Sequence, residues 1–176
     1  MSLKHAILAV LSHGDRTGYD LTRKMDGSVA NFWPATHQQI YIELKRLDEL
    51  GLVRFKEKVQ KGRPDKKIYK ITKTGLTELK AWAEEPLEIA ASKDALLIKV
   101  FACHALGTKH LIDELKSLRE LHQARLHEYQ EIEANCFLGK ISPRLLAQHL
   151  TLRKGIIFER SWLEWCDESL KRLSEY

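Results

Sequence analysis

The stretch PATHQQIYIELKRLDELGLVRFKEKVQKGRPDKKIYKITK, residues 34 to 73, constrains the chain most. It opens with a helix whose start is marked twice. Pro34 disfavours helical backbone at the residue before it. Thr36, with Gln39 three residues on, fits a capping box, in which a hydroxyl and a side-chain amide each satisfy a free backbone N–H. Ile40, Leu44, Leu47 and Leu50 recur at helical spacing and predict a buried stripe. Gly51 is placed to end the helix with a positive φ. His37, Gln38, Tyr41, Lys45 and Arg46 lie off the stripe.

A basic hairpin follows at once. Leu52, Val53, Phe55 and Val59 stand among Arg54, Lys56 and Lys58 in rough alternation, and Ile68, Tyr69 and Ile71 form the return strand. Between them KGRPDKK holds the turn residues Gly62, Pro64 and Asp65. Lys61, Arg63, Lys66 and Lys67 crowd the tip. Like charges this dense repel one another, and a polyanion relieves them. The plain alternative is a solvated surface hairpin. A capped helix with exposed polar groups followed directly by a basic hairpin is the order of recognition helix and wing in a winged helix-turn-helix, whose second helix enters the major groove by its N-terminal residues. Gln pairs bidentately with adenine there, and Lys or Arg binds guanine or phosphate.

The charge of the whole chain agrees with that reading. Between residues 45 and 73, 11 Lys and Arg face 4 Asp and Glu, whereas residues 86 to 176 hold 13 of each. A positive balance confined to the proposed reading unit fits nucleic acid better than an acidic membrane. The apolar run Ala6 to Leu11 is too short for a secretion signal. No stretch approaches the ~20 apolar residues of a membrane span, so a cytoplasmic location is expected. Cys103, Cys136 and Cys166 are odd in number and far apart, which fits reduced thiols in core packing, with a redox sensor as the alternative. The eight histidines are scattered, and His122 and His127, five apart, do not share a helix face. With no phosphate-binding glycine loop, no H-E-x-x-H and no zinc-ligand cluster, neither an enzyme nor a bound cofactor or metal is expected.

Taken in order, Leu3, Ile7, Val10 and Leu11 give the first helix one apolar face, ended by Gly14. Thr17 with Asp20 caps a second helix, on which Leu21 and Met25 turn inward. Arg16, Tyr19, Arg23 and Lys24 on that helix are candidate phosphate contacts, with core packing as the alternative for Tyr19. Phe32 and Trp33 read as a core plug before the recognition helix. Thr72 caps a helix from about 74 to 85 on which Leu76, Leu79 and Trp82 share a face, and Pro86 marks a boundary. Beyond it, KDALLIKVFACHAL is broadly apolar. A long helix from Thr108 to about Asn135 carries a heptad-like seam, Leu111, Leu115, Leu118, His122, Arg125, Tyr129, Ile132 and Cys136. The last helix, Pro143 to Leu173, is apolar on more than one side, which predicts packing on a second copy. Candidate residues for that contact are Leu3, Ile7, Leu145, Leu152, Ile156, Trp162, Leu163, Trp165 and Leu170. The expected fold is mostly α with a small β hairpin: a winged helix-turn-helix over residues 1–86 and a long-helix dimerisation domain over 87–176.

These motifs together resemble the PadR-type transcriptional regulators. The likeness lies in GYDL at 18–21, FW-x-x-THQQIY-x-EL at 32–44, GL at 51–52 and GRPDKK-x-Y at 62–69. HEYQEIEA at 127–134 and LTLRKGI with W-x-x-WCDE between 150 and 168 extend it to the longer subfamily of AphA-type virulence activators and phenolic acid-responsive repressors. The resemblance implies a cytoplasmic homodimer that binds double-stranded DNA, with C-terminal helices in an antiparallel, coiled-coil-like interface. It implies DNA-proximal roles for Tyr19, His37, Gln38, Gln39 and Tyr41, although Gln39 is also the partner of Thr36 in the cap; Thr36, Lys45 and Arg46 of the same helix are candidate DNA contacts from its own pattern. Lys61, Arg63, Lys66 and Lys67 would lie near the minor groove or its phosphates. It leaves the effector open between a small aromatic compound and a second regulator. Trp33, Trp82 and His104 are candidate pocket residues or core packing.

Overall fold

A computed structural model describes residues 3–25, 33, 35–59, 66–87, 93–139 and 142–175. The chain forms two compact units, Met1–Glu88 and Ile89–Tyr176. The first runs α1 (Leu3–Ser12), β1 (Arg16–Thr17), α2 (Gly18–Lys24), α3 (His37–Glu49), β2 (Val53–Lys58), β3 (Lys66–Ile71) and α4 (Lys73–Glu84). The second is helical: α5 (Ala95–Leu106), α6 (Lys109–Cys136) and α7 (Pro143–Ser174).

One core holds the first unit together. Ile7, Leu8 and Leu11 of α1 meet Leu21 and Met25 at α2, Ile40, Leu44 and Leu47 of α3, and Val53 and Tyr69 of the sheet. Each is an inward position of its own element, set by the helical period in α1, α2 and α3 and by strand alternation at Val53 and Tyr69. Ile7, expected at a contact between copies, is instead fully buried in this core, which removes it from any surface that a second chain touches. Leu3 stays half-buried on α1. Leu50 also departs from expectation. The helix ends at Glu49, Gly51 turns with φ +67°, and Leu50 is left exposed while Leu52 enters the core.

The sheet has three strands in the order β1-β3-β2, all antiparallel. The two-residue strand β1 has no counterpart in the sequence reading: Arg16 pairs with Tyr69 and Thr17 with Ile68. A strand this short leaves no alternation to read. At the other end of the hairpin, α4 comes very close to the backbone. Its cap Thr72 accepts from Gly75 N–H (3.0 Å), while Thr72 N–H donates to the Leu52 carbonyl (3.0 Å). Of the face shared by Leu76, Leu79 and Trp82, Leu76 is exposed and Leu79 is half-buried against the core.

In the second unit α6 and α7 pair along their lengths. Their links run in opposite directions along the two helices: Arg119–Asp167, His122–Glu159, and Glu133 with His149 and Arg153. They are therefore antiparallel. Leu126, Tyr129, Ile156 and Leu163 form one buried cluster, and Leu111, Leu115 and Cys166 another. Two expected interface residues, Ile156 and Leu163, are thus buried within the chain, and the half-buried Leu152, Trp162, Trp165 and Leu170 pack against the same clusters. Leu145 remains exposed on α7. On α6 the heptad reading also slips. Leu126 is buried and Arg125 exposed, because a straight helix advances 3.6 residues per turn and drifts from a seven-residue repeat. Gly155 lets α7 approach Tyr129: a Cβ there would lie 2.9 Å from the ring. Among the described residues, no helix is long and apolar enough to cross a membrane.

Candidate nucleic-acid interface

The capping box predicted for α3 is formed in full. Thr36 Oγ1 accepts from Gln39 N–H (3.2 Å) and Gln39 Oε1 accepts from Thr36 N–H (2.8 Å). Thr36 and Gln39, both named from sequence as DNA-proximal, are exposed but tied to each other. His37, Gln38 and Tyr41 are exposed on the first turns of the same helix, and Ile40, Leu44 and Leu47 anchor its other side. Lys45 and Arg46, further along, hold loose pairs with Glu49 (3.9 Å) and Glu43 (3.7 Å). The Lys45–Glu49 pair, exposed on both sides, is worth little and yields readily to a phosphate. Tyr19 is 64 % exposed, which decides against core packing for its ring.

The hairpin separates its residues by face. Paired strands point opposite residues to the same side, and successive residues alternate. Val53, Phe55, Tyr69 and Ile71 therefore share the side turned to the core. Arg54, Lys56, Lys58, Lys66 and Lys70 share the other, all exposed, with only Ile68 among them. Arg54 stands directly opposite Lys70, and Lys58 opposite Lys66. Like charges in opposed positions destabilise a sheet, and an anion bound across them removes that cost. Sequence reading places the charge at the tip. It misses the face, although the alternation of Arg54, Lys56 and Lys58 is the signal for it.

Lys66 and Lys67 thus point to opposite sides. Lys67 lies on the core-side face at the hairpin's outer end, 3.9 Å from Glu57 and with its ammonium 4.1 Å from the centre of the Phe55 ring. Lys61 and Arg63 lie outside the described residues. Burial raises the Tyr69 hydroxyl above its ordinary pKa, with Tyr41 and Asp48 adding to the shift, so it remains a neutral group behind the interface.

The candidate pocket residues have separate settings. Trp82 stacks on His5 with centroids 4.6 Å apart, Trp33 is half-buried, and exposed His104 lies 3.3 Å from the Phe101 carbonyl. The three cysteines are free thiols; burial raises the pKa of Cys166, whose Sγ lies 3.6 Å from the Leu115 carbonyl.

Comparison with known proteins matches both halves of the chain. Residues 7–81 fit the transcriptional regulator PadR-like family and residues 92–174 the C-terminal region of the virulence activator alpha family. A probable transcriptional regulator of Mycobacterium tuberculosis is 35% identical over 99% of both chains. The structure of the Vibrio cholerae virulence activator AphA superposes with a TM-score of 0.83 at 34% identity, covering 99% of each chain. Bacillus subtilis PadR in complex with operator DNA superposes with a TM-score of 0.85 at 29% identity, covering 97% of this chain and 98% of that one. The same protein has also been solved with p-coumaric acid (TM-score 0.80, 28% identity, covering 99% and 96%).

Proposed function

The chain belongs to the PadR-like family of transcriptional regulators, and from that premise we propose that it binds a palindromic operator as a homodimer and reads it through α3. His37, Gln38 and Tyr41 enter the major groove. Thr36 and Gln39 hold the turn that carries His37 and Gln38, and Tyr19, Lys45 and Arg46 approach the backbone. The hairpin, with Lys61, Arg63, Lys66 and Lys67 toward its tip, lies along the minor groove or its phosphates. The observation that carries this reading is the two-sided hairpin beside a capped helix: one face in the core, the other bearing Arg54, Lys56, Lys58, Lys66 and Lys70. Residues 1–86 serve as the DNA-binding domain and residues 87–176 as the dimerisation domain.

Pairing of two copies accounts for apolar surface that the second unit leaves open. Phe101 is 86 % exposed on α5, and Leu145, Leu146, Leu150 and Ile157 are exposed on α7. Two copies related by a twofold axis place two α3 helices in successive major grooves, about one helical turn apart. The work is regulatory, on DNA in the cytoplasm, without an enzymatic step or a bound cofactor. A second reading, control by a small aromatic acid, is favoured by the solved complex of the B. subtilis relative with p-coumaric acid. In that case the acid raises the melting temperature and releases DNA.

The test is salt dependence. Replacing Lys66 and Lys70 by Ala removes two cations from the outer face. If each meets one phosphate, the slope of log affinity against log salt falls by about 1.8 in magnitude. Affinity falls alike for operator and random duplex, since phosphate contacts carry no sequence information. An unchanged affinity and slope would remove the hairpin from the mechanism.

A further inference from the structure

Gly18 begins α2 and is buried. Its backbone does not require glycine: positive φ among the described residues occurs at Gly14, Gly51, Gly107 and Gly139. In a helix with ordinary dihedrals, alanine is favoured over glycine. Something else keeps a side chain out of this position, and the surroundings identify it. A Cβ built on Gly18 would lie 2.7 Å from Tyr41 Cε1, 3.0 Å from its hydroxyl oxygen and 3.1 Å from Cζ. All three nearest atoms belong to one side chain. Real Cβ atoms do not approach a neighbour at the shortest of these distances, so the Tyr41 ring occupies the space that glycine leaves free.

Tyr41 is nonetheless 48 % exposed. One edge of the ring is seated on Gly18 while the rest faces solvent on the outer side of α3, in the turn after Gln38. An exposed tyrosine on a helix surface ordinarily exchanges between rotamers, and a base contact then costs the entropy of choosing one. A seat on Gly18 makes that choice before DNA arrives. We infer that Gly18 is a positioning residue for sequence reading, the socket that fixes Tyr41 in its reading orientation. The inference rests on the proposed base-reading role of Tyr41.

The test is a double-mutant cycle of Gly18→Ala, Tyr41→Ala and the two combined. Each is scored by the ratio of affinities for a selected operator and for random duplex. With Tyr41 present, Gly18→Ala lowers the ratio by about tenfold, toward the value of Tyr41→Ala and within the range of one base contact. Random-duplex affinity is unchanged. In the Tyr41→Ala background the same substitution has no effect, because no ring is left to displace. In the DNA-free protein, the Tyr41 ring-proton resonances shift in Gly18→Ala while the circular dichroism spectrum stays that of the parent. Equal losses from Gly18→Ala in both backgrounds, or unmoved Tyr41 resonances, would overturn the inference and leave the function standing. If Tyr41→Ala itself leaves the ratio unchanged, Tyr41 does not read bases, and the inference falls with that role.

Discussion

Gly75→Ala sets two effects of opposite sign against each other. Gly75 is the third residue of α4, and helix propensity alone predicts a gain of about 1 kcal/mol on replacing it with alanine. The structure predicts a loss. A Cβ there would overlap the Leu52 carbonyl oxygen and come within 2.9 Å of Ile71 Cγ1. The obstacle is backbone, so no side-chain rotation relieves it. The same carbonyl accepts from Thr72 N–H (3.0 Å) and lies 3.1 Å from the Thr72 hydroxyl. Overpacking costs up to ~3 kcal/mol, and the disturbed hydrogen bond adds about 1 kcal/mol. After the propensity gain, the net loss is about 3 kcal/mol. For a unit of this size that lowers the melting temperature on the order of 15 °C. Thermal and urea unfolding followed by circular dichroism measures it. A variant as stable as the parent, or more so, would refute the close approach of α4 to the root of the hairpin.

Two further expectations concern the first unit. Thr36→Ala removes the α3 cap and destabilises by about 1 kcal/mol, whereas Gln39→Glu keeps the reciprocal bond pattern and the stability; urea midpoints separate the two, and an unaffected Thr36→Ala would deny the cap its role. Burial, and then Lys4, lower the pKa of His5, which stacks on Trp82. Its unfolded form therefore takes up a proton first as pH falls below about 6.5, so stability declines from there until the lower folded pKa is passed. His5→Phe flattens that part of a melting profile taken between pH 8 and 5; a profile unchanged by the substitution would contradict the assignment.

The first unit is legible in the sequence because its signals are local. Thr36 and Gln39 are three residues apart, Gly51 marks the stop, and the core stripe on α3 follows one period. What escapes depends on distant partners. Arg16 and Thr17 become a strand only through Tyr69 and Ile68. Alternation alone sets Lys66 and Lys67 on opposite faces, but which of them shares the core-side face of Phe55 and Tyr69 follows from the strand pairing, which puts Lys67 opposite Glu57. In the second unit, apolar pattern misleads twice. Ile156 and Leu163 are legible as a stripe, but the stripe faces α6 of the same chain. Glu159 escapes a search for apolar residues because it is charged. It is 2 % exposed and bonded to His122, with Arg125 3.8 Å away. Its spacing from Ile156, Leu163 and Cys166, by three, four and seven residues, sets it in the same seam and is the available signal. Its desolvation is offset by partners on α6, His122 and Arg125, and not by apolar contact.

In the proposed function two copies read DNA through paired α3 helices. Selection of bound sequences from random duplex DNA by the purified full chain, at physiological salt, tests it most directly. The expected result is an enriched palindrome whose half-sites are centred about ten base pairs apart. A bound pool with no enriched sequence, or enrichment of a single half-site without its symmetric partner, would contradict it.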